Sequence, residues 1–125
     1  MPNNLSAVAP VIGPEIIRHY HAHVYYDPVC RDRAARLRER VAVVFPDATL
    51  GRWHDDPVGP HTQAMYQIAF PTTLLASFLP WLMLNRDGLS ILLHPGTGDS
   101  YADHTHHAVW FGNVLPLRLD VLRKV

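Results

Sequence analysis

Residues 17–26, with the sequence IRHYHAHVYY, are the stretch that decides the fold. They are rich in aromatic and β-branched side chains, and the Asp27-Pro28 pair ends them, so we predict a β-strand. Side chains of a strand point alternately to its two faces, which places His21 and His23 together on one face. The opposite face receives mostly apolar residues. The strand therefore has one face suited to a core and one face lined with imidazoles.

The remaining elements predict a ferredoxin-like fold. A helix is expected over residues 28–45, because apolar residues recur there at intervals of three and four positions. A second helix is expected over residues 71–84, opened by Pro71-Thr72-Thr73, despite Pro80 near its middle. Strands are expected over residues 48–54, 62–70 and 89–95, where short β-prone runs are bounded by Pro, Gly and Asp. The order β-α-β-β-α-β is that of an α+β sandwich with an antiparallel sheet and both helices on one face.

The domain organisation follows from this pattern. Residues 1–16 are expected to form an N-terminal arm, and residues 17–125 a single domain, since a chain of 125 residues favours one core. The domain ends in a histidine-rich extension. Within it, residues 114–122, VLPLRLDVL, are expected to form an extra strand or a tail that promotes dimerisation.

The predicted topology brings a third histidine to the imidazole face. The end of the fourth strand lies beside the start of the first, so His94 can approach His21 and His23. Three imidazole nitrogens suit Zn, Fe or Cu, and we predict these three residues as metal ligands. The alternative is a polar sheet face whose histidines are only hydrogen-bonded.

Two other segments supply candidate functional residues. The stiff loop PVGPH, residues 57–61, is expected to hold His61 over the open end of the sheet as an acid, base or ligand, unless it is an ordinary hairpin connection. Arg52, just before it, could hold a substrate carboxylate. In the extension, Asp103 and His104 arrive together, and crowded histidines of this kind are seldom an inert loop.

Composition excludes several classes of protein. The 11 basic and 11 acidic residues cancel, so no overall field attracts nucleic acid or anionic lipid. The apolar runs are too short to span a membrane. The single cysteine, Cys30, excludes an internal disulfide framework and fits a reducing compartment, so a cytoplasmic location is expected.

Four motifs resemble the DOPA 4,5-dioxygenase family of extradiol ring-cleaving enzymes. They are HAHVYYD, GRWHDDPVGPH, PWLMLNRDGLSILLHPGTGD and DHTHHAVWFG, and the resemblance covers residues 18–112 in the family's order. It implies a ferredoxin-like fold and oxygen-dependent cleavage of a catechol ring next to its hydroxyls. The motif residues carried over are His23, His61, His94, His104, Trp81 and Trp110.

The resemblance also implies a cofactor, a substrate and roles for residues. Fe(II) is the expected metal, which Zn could replace in a purified form. His61 and His104 are the expected catalytic groups, and Arg52, Tyr25 and Trp110 the expected substrate-binding groups. The motifs contain no Glu, so a three-histidine site and a site that includes Asp103 both stay open. The expected partners are a small catechol, O2 and a second copy of the chain, which the uncovered sheet face and apolar tail favour.

Two other functions are compatible with the sequence. One is a non-enzymatic, dimeric ferredoxin-like module whose histidines hold structural Zn or a small ligand. The other is a cofactor-independent monooxygenase of the dimeric α/β-barrel kind, which would not need three histidines on strands. An enzyme needs exchangeable positions on its metal, whereas a structural site is closed and four-coordinate.

Overall fold

A five-stranded antiparallel sheet organises the protein. The computed structural model describes residues 9–122. The strands are β1 His19–Tyr25, β2 Thr49–Leu50, β3 Met65–Phe70, β4 Ile91–Gly96 and β5 Val109–Phe111, and the helices are α1 Arg31–Val44, α2 Leu75–Asn85 and α3 Ser100–His104. Short 3-10 turns cover Pro14–Ile16, Thr72–Leu74 and Leu119–Leu122. No helix in residues 9–122 has the length and hydropathy needed to cross a membrane.

The strand order confirms the predicted ferredoxin-like α+β fold. The sheet runs β2-β3-β1-β4-β5, so β1 is central between β3 and β4. Ala22 pairs with Ile68 on β3 and with Leu93 on β4, which brings three apolar side chains to the same face. The histidine-rich extension supplies α3 and β5, and β5 lengthens the sheet beside β4.

The helices cover the apolar face as the alternation predicts. Tyr66, Phe78 and Leu37 are fully buried between the sheet and the two long helices. The Tyr66 hydroxyl donates a 2.7 Å hydrogen bond to the Ala34 carbonyl, which links β3 to α1. Burial of apolar area on this face is the main source of stability. The same arrangement leaves His21 and His23 of β1 on the face opposite the two long helices.

The chain's own C-terminal part covers one end of that second face. Tyr25, Met65 and Leu92 form a small apolar cluster there, packed against side chains that follow α3: Ala108, Trp110, Leu115 and Leu117. The expectation of an extra strand over residues 114–122 is wrong. The additional strand is β5, and the later segment makes a single bridge between Leu117 and His61 before its 3-10 turn.

Several element boundaries also differ from the sequence prediction. The first helix begins at Arg31 rather than near Pro28, because the Asp27 carboxylate accepts a 2.9 Å hydrogen bond from the Cys30 amide and closes a separate turn. Strand β2 has only two residues, and β3 begins at Met65 rather than Thr62. Of the predicted arm, residues 1–8 lie outside the described residues.

Candidate active site

Three histidines from two adjacent strands meet on the sheet face opposite the long helices α1 and α2. His21 on β1 pairs directly with His94 on β4, and their rings lie 5.3 Å apart. The Nε2 atoms of His23 and His94 lie 3.0 Å apart, and both side chains are 4 % exposed. The register that the alternation predicts therefore brings the three predicted metal ligands together.

Two further histidines complete a cluster over the sheet. The His61 ring lies 4.2 Å from that of His23, and the His104 ring lies 4.0 Å from that of His94. The loop that carries His61 is held by the C-terminal segment, since the Arg118 amide donates to the Pro60 carbonyl at 2.8 Å. We call the set of five side chains the histidine cluster; it consists of His21, His23, His61, His94 and His104.

Backbone carbonyls orient two rings of the histidine cluster. Nδ1 of His94 lies 2.9 Å from the Pro95 carbonyl, and Nδ1 of His104 lies 2.7 Å from the Ser100 carbonyl. A carbonyl oxygen can only accept, so each Nδ1 carries the proton and donates it. The lone pair of each ring is then on Nε2. Metal-binding histidines are typically held in this way by their second nitrogen.

A tyrosine contacts the histidine cluster at His61. The Tyr25 hydroxyl lies 2.7 Å from Nδ1 of His61, and the Tyr25 ring stacks on Trp110 at a centroid distance of 5.8 Å. Burial raises the pKa of Tyr25 above its ordinary value, so the phenol stays protonated. Its hydroxyl can donate to Nδ1 or accept from it, which sets whether Nε2 of His61 carries a proton.

Burial favours the neutral form of four imidazoles of the histidine cluster, those of His21, His23, His61 and His94. Desolvation, followed by the neighbouring imidazoles, lowers the pKa of His21 and of His61 to about 4 and that of His94 to about 3. The same causes lower the pKa of His23 well below its ordinary value. A neutral imidazole is the form that binds a metal or accepts a proton.

The donor set fits a metal ion. Two groups of three have ligand nitrogens within 4.8 Å of one another: His21, His23 and His94, and His23, His61 and His104. Two nitrogens that each lie about 2.1 Å from a metal at cis or tetrahedral angles are separated by about 3.0 to 3.4 Å. The observed Nε2 separation of 3.0 Å between His23 and His94 agrees with this. Nδ1 of His23 is buried without a hydrogen-bond partner among the described residues, so the protein alone does not satisfy this ring.

The histidine cluster lines a cavity of about 360 Å³, a size typical of small-molecule sites. All five of its side chains line this cavity, as do Arg18 and Asp103. Both Asp103 carboxylate oxygens accept hydrogen bonds from Thr97, at 2.9 Å from its amide and 2.6 Å from its hydroxyl. Asp103 therefore holds the turn before α3, and its oxygens are already engaged.

The predicted substrate-binding residues are not all at the cavity. Arg52 is exposed and lies outside the cavity lining, and the arginine that lines it is Arg18. Tyr25 contacts His61 through its hydroxyl and stacks on Trp110, and neither aromatic residue lines the cavity. Sequence reasoning missed Arg18 because the predicted strand 17–26 includes it, and alternation then places it on the face opposite His21. In the structure Arg18 precedes β1, which begins at His19, so the alternation of the strand does not apply to it.

A second cavity of about 410 Å³ lies on the other side of β4. Residues of the N-terminal segment and α2 make up half of its lining, including the apolar Ile16, Leu75 and Leu79. It meets the histidine cluster only at His94. The polar, ligand-bearing cavity is therefore the candidate active site.

The chain belongs to the Dopa 4,5-dioxygenase family, whose model matches residues 20–121. A solved structure from Nostoc punctiforme, described as a candidate dioxygenase, shares 46% sequence identity and superposes with a TM-score of 0.87. That match covers 90% of this chain and 96% of the other. The match confirms the ferredoxin-like fold and the family resemblance of the motifs.

Two curated relatives are fungal. A DOPA 4,5-dioxygenase from Amanita muscaria is 35% identical over 113 residues, which is 82% of this chain and 49% of the relative. An uncharacterised 21.2 kDa protein from Botryotinia fuckeliana is 33% identical over 117 residues, which is 85% of this chain and 64% of the relative. The chain thus spans about half to two thirds of the length of these relatives.

Proposed function

We propose that this protein is a metal-dependent extradiol dioxygenase that cleaves the ring of a catechol with O2. The observation that carries the proposal is the convergence of five histidines on one small-molecule cavity. Family membership supports the reaction class. A cavity next to the nitrogens leaves room for substrate, which an enzyme needs and a closed structural metal site does not.

His21, His23 and His94 are the proposed metal ligands. They lie on paired strands, which hold side chains more rigidly than loops do. Neutral imidazoles suit Fe(II), the proposed native metal, and they would also accept Zn. The second group of three shares His23 but uses His61 and His104. The two ligand sets differ in whether His21 or His104 is needed to retain the metal.

His61 and His104 are the proposed acid–base groups. The Tyr25 hydroxyl can donate to Nδ1 of His61 or accept from it, so Nε2 can either release a proton into the cavity or take one up. His104 presents an Nε2 lone pair, because its Nδ1 proton is donated to the Ser100 carbonyl. One of these groups can therefore take a catechol proton, and the other can return a proton later in the reaction.

The proposed reaction balances without an external reductant. The carbon–carbon bond next to a ring hydroxyl breaks, both oxygen atoms of O2 enter the product, and the substrate supplies the electrons. A bound Fe(II) would bring catecholate and O2 together and let electrons pass between them. The protein's part is to hold the neutral nitrogens, exclude bulk water and move the protons.

The test is anaerobic reconstitution with Fe(II), followed by a catechol panel that includes L-DOPA. O2 uptake and visible absorbance are recorded, with metal-free protein and zinc-loaded protein as controls. We expect iron-dependent O2 uptake together with a coloured ring-opened product. Tightly held stoichiometric zinc and no turnover of any catechol would contradict the proposal.

A further inference from the structure

An unpaired cation lies at the edge of the candidate active site. Arg18 is exposed and lines the cavity of the histidine cluster. Within residues 9–122 the ion pairs are Arg31 with Asp55 and Arg36 with Asp87, so the Arg18 guanidinium has no acidic partner there. The charge is available to a ligand that enters the cavity.

The cavity itself offers no competing anion for Arg18. Asp103 is the only acidic residue among the described residues that line it. Both Asp103 oxygens already accept hydrogen bonds from Thr97. The remaining polar lining consists mainly of imidazoles, which carry no carboxylate that could pair with Arg18. Arg18 therefore gives this end of the cavity a positive charge.

The neighbouring backbone holds Arg18 next to the cavity. Its amide donates a 2.9 Å hydrogen bond to the Gly96 carbonyl at the end of β4. Its guanidinium packs over Gly98, where a Cβ atom would lie 3.5 Å from a terminal nitrogen. Gly98 has a φ of 98°, a conformation that favours glycine, so this residue sets the backbone turn beside the guanidinium. The planar group is thus presented beside the histidine cluster.

We propose that Arg18 binds a carboxylate on the side chain of the substrate, so that the enzyme selects anionic catechols over neutral ones. This inference rests on the proposed function. A guanidinium can bind a carboxylate with two parallel hydrogen bonds, which fixes orientation as well as affinity. Arg52, the arginine predicted for this role from the sequence, lies outside the cavity lining.

The experiment compares two catechols that differ by one carboxylate: dihydrocaffeate, with a propionate side chain, and 4-ethylcatechol. Each is titrated calorimetrically into the Fe(II)-loaded protein without oxygen, and steady-state KM and kcat are then measured in air. The variants are Arg18→Gln, Arg18→Lys and Arg52→Gln, with Arg40→Gln on the exposed face of α1 as the matched control.

We expect Arg18→Gln to weaken dihydrocaffeate binding and raise its KM by about tenfold, at the lower end for a charge-assisted hydrogen bond because the group is exposed. The affinity for 4-ethylcatechol should stay within about twofold, and Arg18→Lys should recover part of the loss. Arg40→Gln should match the wild type with both ligands.

Three results would overturn the inference. Equal losses for the two catechols in Arg18→Gln would mean a structural role, and no loss for either would mean no contact with substrate. A selective loss of dihydrocaffeate in Arg52→Gln instead would assign the carboxylate to the arginine predicted from the sequence. In all three cases the wild type still binds and cleaves catechols, so the proposed function stands. Failure of the wild type to bind or turn over either ligand would overturn the proposed function as well.

Discussion

Replacing Tyr25 by Phe should separate the acid–base role of His61 from metal binding. The change removes only the hydroxyl that lies 2.7 Å from Nδ1 of His61 and leaves that buried nitrogen without a partner. A lost partner of this kind costs about 1 to 3 kcal/mol of stability. A positioned acid or base typically contributes about 10² to 10⁴ in rate, so we expect kcat to fall by about tenfold to a hundredfold.

The assay compares kcat, iron content and thermal midpoint for Tyr25→Phe and Tyr26→Phe. Tyr26 is a matched control, because it directly follows β1 and packs in the main core rather than against the histidine cluster. Its hydroxyl donates a 2.7 Å hydrogen bond to the Asp55 carboxylate. Both variants should lose some stability, but only Tyr25→Phe should lose turnover while it keeps its iron. Unchanged kcat in Tyr25→Phe, or an equal loss in the control, would refute the reasoning.

Four further predictions concern the ligand set and pH. His94→Gln should abolish metal retention without unfolding the domain, whereas His61→Gln should keep the metal and slow turnover. The metal content of both purified variants is measured. Loss of the metal in His61→Gln would mean that His61 is a ligand. His21→Ala should lose the metal and His104→Ala should keep it, and the reverse result would favour the second group of three. Asp103→Asn should keep the metal, because both Asp103 carboxylate oxygens already accept hydrogen bonds from Thr97. The free energy of unfolding of the metal-free protein, measured by denaturant titration, should decrease as pH falls from about 6.5 towards 4. The reason is that the pKa of His94 in the folded state, about 3, lies below its ordinary value of 6.5. The unfolded chain then binds more protons in that window, which costs up to about 1.4 kcal/mol per pH unit for this group; a flat profile would contradict the burial argument.

Local pattern was sufficient to predict the fold. The alternation of residues 17–26 assigned each side chain of β1 to its face, and a register error of one residue would have reversed the assignment. The observed pairing of His21 with His94 follows from that alternation together with the strand order of a ferredoxin-like sheet. The grouping of His21, His23 and His94 could be predicted because all three lie on strands, whose alternation fixes the face of each side chain.

The remaining features depend on contacts distant in sequence. The position of His61 depends on its bridge to Leu117, which no local pattern indicates. The path of the C-terminal segment over Met65 and Leu92 is likewise a matter of tertiary packing. The sequence predicted Arg52 as the residue that binds a substrate carboxylate. The alternative, Arg18, becomes evident only from the folded structure, in which Arg18 lies beside the turn at residues 96–98. The predicted homodimer stays a prediction, which the mass in solution would test.

The most direct test of the proposed ring cleavage is the fate of the oxygen atoms. Iron-loaded protein is given a catechol that it turns over under isotopically labelled O2. The new carbonyl group of the product is reduced at once, so that its oxygen does not exchange with water, and the product mass is measured. The account predicts that a single ring-opened product carries both labelled atoms, with one catechol consumed per O2. A product with one labelled atom, or an intact quinone with none, would contradict it.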